Sequence, residues 1–171
     1  SFLENCRSLQ KAEFKNLYVP ELTRTLCMFN GCENLISADL RGISTNKVVM
    51  MAGMFEGCSM LPYLDIKHFD TTNASWMSRM FYGCESLKYL DMSCMDTSNV
   101  DTMEEMFYGS MKDGGQIIVG RNFVINCSSE NMFSETGAIV IKGKMRRKTK
   151  NRIISKIHTE QSKASSLSDS E

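Results

Sequence analysis

The chain has 171 residues, 42% hydrophobic and 23% charged, with 20 Lys+Arg against 20 Asp+Glu; that is enough to bury one core, and it lacks the positive excess that points to nucleic acid. The zero net charge conceals an asymmetry: residues 1–141 hold 11 Lys+Arg against 17 Asp+Glu and residues 142–171 hold 9 against 3, so an acidic body carries a basic tail. No run approaches the roughly 18 apolar residues of a spanning helix, which excludes a transmembrane segment in this stretch, and the start at Ser1, without initiator Met or leader, reads as an excision from a longer chain.

The chain opens with FLENCRSL at residue 2, and the phrase returns as MFNGCENL at 28, MFEGCSML at 54, MFYGCESL at 80 and MFYGSMKD at 106, with MF once more at Met132 and Phe133. This fixed 26-residue period is the signature of a stacked repeat architecture. It aligns Cys6, Cys32, Cys58 and Cys84 in one column, Leu9, Leu35, Leu61 and Leu87 in a second, and Phe29, Phe55, Phe81 and Phe107 in a third. The first two units diverge where later ones carry Asp-Thr, with Tyr18 to Glu21 in the first and Ser44 to Lys47 in the second.

The unit at residues 80–105 shows two periodicities. Leu90 and Met92 alternate with Tyr89, Asp91 and Ser93, which predicts a strand with opposite faces. Val100, Met103 and Met106 recur at every third position, the spacing of one apolar face on a short helix or helical turn. Asp96, Thr97, Ser98 and Asn99 lie between and supply oxygens for free N–H groups. One unit cannot bury both apolar faces alone, so copies are predicted to stack: strands pair at about 4.8 Å into a parallel sheet, turns form the opposite wall, and equivalent side chains form ladders between them.

The strings L-x-x-L-D, D-T-S-N-V and M-x-x-M-F-x-G-C resemble the BspA-type leucine-rich repeat of bacterial surface proteins. The resemblance runs over residues 2–141 and is most specific at residues 54–109. It implies an α/β repeat fold, a right-handed leucine-rich-repeat solenoid with a parallel sheet on one face and short helices or helical turns on the other. It also implies a cell-surface or secreted protein, often a lipoprotein, acting in extracellular adhesion or protein binding.

After Gly109 the pattern weakens. Ser110 takes the Cys column, Asp113 the Leu column, and Gly114 and Gly115 precede a strand-like Gln116 to Val119. Residues 1–109 are therefore read as repeat coils and 110–141 as a degenerate terminal cap, with Ala138 to Ile141 as a closing edge strand. Residues 142–171 are read as a basic, then Ser-rich tail, disordered or transiently helical from Arg152 to His158. The tail admits contact with an anionic polymer or surface, a localisation signal, or a solvated extension; no specific nucleic acid is expected.

The Cys column lacks the C-x-x-C spacing of zinc sites and accepts Ser110 in the next copy, so these thiols are read as a structural ladder, with Cys27, Cys94 and Cys127 unassigned and no metal. The chain has two His, His68 and His158, and no nucleophile elbow, metalloprotease motif or phosphate loop. Repetition supplies the same group at every step, whereas catalysis needs a unique constellation. Neither enzymatic activity nor a cofactor is expected.

On the predicted sheet face, Glu13, Asp39, Asp65 and Asp91 form one row and Lys15, Arg41, Lys67 and Ser93 the next. Such rows either compensate each other in solvent or form a recognition surface with Tyr63 and Tyr89. In the second case Tyr63, Tyr89, Asp65, Asp91, Lys67 and Lys88 are the candidate contacts. A calcium site is not expected, since the carboxylates spread along a line with amines beside them. The function read from all this is a non-catalytic binding module for a protein or glycan. A structural spacer and a cytoplasmic, host-directed interaction protein are the alternatives.

Overall fold

The computed structural model describes residues 2–137, 139–143, 147–148, 150–151, 154–156 and 159–160, with the backbone alone for 139–142. It is a small α/β structure whose strands, all parallel, lie in two sheets: β1 (Lys11–Glu13) with β2 (Ser37–Asp39), and β3 (Tyr63–Leu64), β4 (Tyr89–Met92), β5 (Gly115–Val119) and β6 (Ile139–Lys142) in that order. Lys11 faces Ser37 and Tyr63 faces Tyr89, in each case an advance of one full repeat. Tyr89 faces Gln116, one position beyond a full repeat, so the Gly114–Gly115 region absorbs an extra residue. Gln116 then faces Val140. Alternation does its expected work: Leu64, Leu90, Met92, Ile117 and Val119 point inward and are buried.

A second line of parallel bridges joins Arg24, Met50, Trp76, Thr102 and Ser128, each one full repeat from the last. Beside it, the N–H groups of Leu3, Phe29, Phe55, Phe81 and Phe107 donate to the carbonyls of Met28, Met54, Met80, Met106 and Met132 respectively, at 2.8–3.0 Å. Successive units are thus hydrogen-bonded along the whole turn wall, while strand pairing on the sheet wall is interrupted between β2 and β3.

This second wall is made of turns. Cys32 N–H bonds back to Phe29 O, and Cys58 N–H to Phe55 O, both at 3.1 Å and within a single tight turn. Among the described residues, helix occurs only within 147–160. The apolar spacing of three read from the sequence is real, but left-handed residues recur at Cys27, Gly53, Arg79, Glu105 and Asn131 (φ +50 to +60°) and four positions on at Gly31, Gly57, Gly83, Gly109 and Glu135 (φ +54 to +72°). A single left-handed L-residue ends a right-handed helix, so neither a helix nor more than one turn can form between two such points.

Ladders fill the interior. Phe29, Phe55, Phe81, Phe107 and Phe133 are buried and stacked with neighbouring rings 5.4–5.8 Å apart, a spacing at which aromatic pairs add about 0.5–1.5 kcal/mol beyond burial. Leu35, Leu61 and Leu87 are buried, while Leu9 in the first unit is half-buried. A third ladder accounts for the Asp-Thr signature. Buried Thr71 donates its hydroxyl to Asp96 O (2.8 Å) and accepts from Asp96 N (2.9 Å), and Thr45 does the same to Asp70, at 2.9 and 2.8 Å. Thr97 does so to Val124 at 2.7 Å, displaced with the shifted register. Asp70 and Asp96 in turn accept from the N–H two positions on, closing the turn.

The last described rung of the ladder is Phe133. Phe133 N–H donates to the Glu160 carboxylate at 2.6 Å, and buried Glu160 is paired with Lys156 at 2.9 Å. A side chain from the helical residues of the C-terminal segment takes the place of the Met carbonyl used by Phe29, Phe55, Phe81 and Phe107. Ala138, Lys144, Arg146, Arg152, His158 and the Ser-rich end lie outside the described residues.

Candidate binding surfaces

The sheet face carries the six candidate contacts. Tyr63 and Tyr89 are in-register neighbours, 64% and 38% exposed; the two rings make no stacking contact, unlike Tyr82 and Tyr108 on the turn wall at 4.9 Å. Lys67 bonds Asp91 across units at 3.3 Å, Lys88 bonds Asp113 at 3.0 Å, and Asp65 accepts from the Lys67 backbone at 3.2 Å. In the earlier units Glu13 pairs with Lys15 (3.2 Å), and Asp39 takes a guanidinium bond from Arg41 (2.9 Å).

The protonation equilibria follow these pairs. The Arg41 hydrogen bond holds Asp39 down to about 2. At Asp91 burial pushes the carboxyl up, but bonds from Ser93 and Lys67 together outweigh it and leave it below its ordinary value. Lys67 is raised, first by its hydrogen bond to Asp91. Asp39 and Asp91 are thus held in the charged form by Arg41 and by Ser93 with Lys67.

The turn wall has its own polar network. Arg79 reaches Glu56 at 2.6 Å and Glu105 at 2.5 Å, one unit away on either side, and its guanidinium lies 3.9 Å over the Tyr82 ring. The hydrogen bond to Glu56 leads in raising its pKa. Tyr108 donates its hydroxyl to Glu135, which pushes the phenol up to about 12.

The thiol column lies inside. Cys32, Cys58 and Cys84 are buried and free, and each donates S–H to a carbonyl of the preceding unit (Leu3, Phe29 and Phe55) at 3.1–3.3 Å; Cys6 is half-buried. Desolvation pushes Cys58 up and Cys84 up to about 12. Ser110, in the same slot, is buried but bonds Phe107 O within its own unit, since the smaller oxygen does not span to the preceding one. Among the described residues no three His, Cys, Asp or Glu gather as a metal site, and no helix is long and apolar enough to cross a membrane. His68 bonds Leu40 O at 3.0 Å.

Two features escaped the sequence reading. Trp76, the single Trp, stands 48% exposed on the bridge line of the turn wall; the visible signal was its column, where Arg24, Met50, Thr102 and Ser128 share no residue type with it. The first unit contains an apolar cavity of about 460 Å³ bordered by Phe2, Phe14, Leu22 and Thr25. Thr25 occupies the column of Met51, Met77 and Met103, and its buried hydroxyl has no hydrogen-bond partner among the described residues.

A family model described as "Mycoplasma protein of unknown function, DUF285" matches residues 1–119, ending at the last residue of β5 and covering more than half of the chain. The chain belongs to that family. The matched span contains the Cys, Leu and Thr ladders and both tyrosines of the sheet face. No curated protein and no solved structure matches the chain.

Proposed function

We propose that this member of the family is a non-catalytic recognition module: a right-handed leucine-rich-repeat solenoid of the BspA type, displayed outside the cell, that binds a protein or glycan through one face. The observation that carries this reading is the constant 26-residue step of the turn-wall bridges, shared by Tyr63 and Tyr89 on the sheet face, which presents columns of side chains to solvent. Such a surface suits extended recognition. The Tyr63–Tyr89 pair is the part of the sheet face with large exposed aromatic area.

The test is binding of the chain to immobilised fibronectin, laminin and collagen and to a glycan array, repeated with Tyr63→Ala plus Tyr89→Ala. Saturable binding weakened by the double substitution supports the sheet face, and unchanged binding removes it. Protease accessibility of the protein on intact cells tests the extracellular placement.

A structural spacer is the second reading, favoured by the mutual pairing of charges along the sheet. It predicts no saturable binding to any of these surfaces.

A further inference from the structure

We propose a second docking surface on the turn wall, centred on Trp76, for a cationic peptide segment. Trp76 lies in register with Met50, and its N–H meets Val49 O at 3.3 Å. Val49 is 43% exposed, so units two and three together present an apolar patch at this point. On its C-terminal side stands Thr102, the bridge partner of Trp76, preceded by Asp101 and followed two positions on by Glu104, both exposed. Asp101 is anchored against the patch, with its N–H on Ser75 O at 2.8 Å and its carboxylate on the Ser75 hydroxyl. Glu104 meets the Ser128 hydroxyl.

Charge decides the class of occupant. Each of Glu13, Asp39 and Asp91 on the sheet face has a Lys or Arg beside it. Among the described residues no ion pair holds Asp101 or Glu104, so two uncompensated carboxylates stand on the C-terminal side of the exposed indole, while exposed Arg24 stands on the other side, beyond Met50 on the same bridge line. The same wall shows what that combination holds. Arg79 lies over the Tyr82 ring with Glu56 and Glu105 on its nitrogens; Trp76, Asp101 and Glu104 repeat the set of one aromatic and two carboxylates without a cation of their own. Indole is the best aromatic face for a Lys or Arg, and charge-assisted bonds to carboxylate add direction. Leucine or valine between the cations would cover Val49 and Met50. Anionic polymers are repelled at this site.

Trp76 is the only tryptophan, so its emission reports occupancy directly. The experiment titrates the full chain with a capped heptapeptide alternating lysine and leucine, and with a control in which glutamate replaces lysine. The expected result is a saturable shift of Trp76 emission with the lysine peptide alone, weakened by salt, weakened about tenfold or more by Asp101→Asn plus Glu104→Gln, and unchanged by Tyr63→Ala plus Tyr89→Ala. The proposal is overturned by no saturable shift, by an equal response to both peptides, by full affinity in the carboxylate double variant, or by a neutral maltoheptaose moving the emission where the lysine peptide does not. The sheet-face experiments turn on different residues, so either surface can fail while the other stands.

Discussion

One substitution, made at two positions, should have opposite effects. Thr71→Val keeps shape but deletes a buried hydroxyl that donates to Asp96 O and accepts from Asp96 N. Two hydrogen bonds are lost and two backbone groups are left dry, which costs about 2–4 kcal/mol. With a urea slope of about 2 kcal/mol per M, the midpoint falls by roughly 1–2 M. Thr25→Val deletes a hydroxyl that is equally buried but has no partner among the described residues; removing an unpaired buried polar group gains about 1 kcal/mol and raises the midpoint. Both variants are followed in urea by far-UV circular dichroism and by Trp76 emission, with the slope checked against the parent. The reasoning fails if Thr71→Val loses less than about 1 kcal/mol, or if Thr25→Val destabilises.

Further expectations concern the other ladders and the C-terminal end. Phe81→Leu should cost about 1–3 kcal/mol more than Phe123→Leu, because Phe81 stacks on two rings and Phe123, also buried, stacks on none among the described residues; equal midpoint shifts in urea would dismiss ring stacking as a contributor. Glu160→Ala should speed hydrogen exchange at the Phe133 amide by about tenfold or more, with Glu160→Gln between it and the parent because an amide oxygen still accepts; unaltered exchange would show that the carboxylate does not cap this amide. Iodoacetamide at pH 8 should label exposed Cys94 well before Cys58 and Cys84, since desolvation keeps those two thiols protonated at that pH. Peptide mapping showing Cys84 labelled as fast as Cys94 would mean that the ladder opens readily.

The repeating parts of the structure were legible because every unit states them again. Placing Phe29, Phe55, Phe81 and Phe107 in one column sufficed to locate a stacked ladder, and the alternation at Leu90 and Met92 sufficed for a strand. Local exceptions were harder. A spacing of three describes a helical stripe and a chain of turns equally well, and the difference lies in two left-handed points per unit: one at the recurrent glycine of M-F-x-G (Gly31, Gly57, Gly83, Gly109), which does carry a signal, and one at Cys27, Arg79 and Glu105, residue types that do not. The slip of register at Gln116 hides in one added glycine. Glu160 replaces a backbone acceptor with a side chain far beyond Phe133 in the chain, and no periodicity reveals a substitution of that kind. Trp76 stood outside its column's chemistry, so a search for recurring residues passed over it.

The forward bonds of the Phe amides have a consequence for inheritance. Phe29 N–H needs the carbonyl that opens the next unit's Met-Phe pair, and Met54, Met80, Met106 and Met132 offer the same one. In-frame loss or gain of one repeat's worth of coding sequence therefore joins Phe29 to an acceptor like the one it had, with another phenylalanine ring above it and another threonine to close the turn. At Phe133 the acceptor is the Glu160 carboxylate instead, and a change in the number of preceding repeats leaves that contact in place.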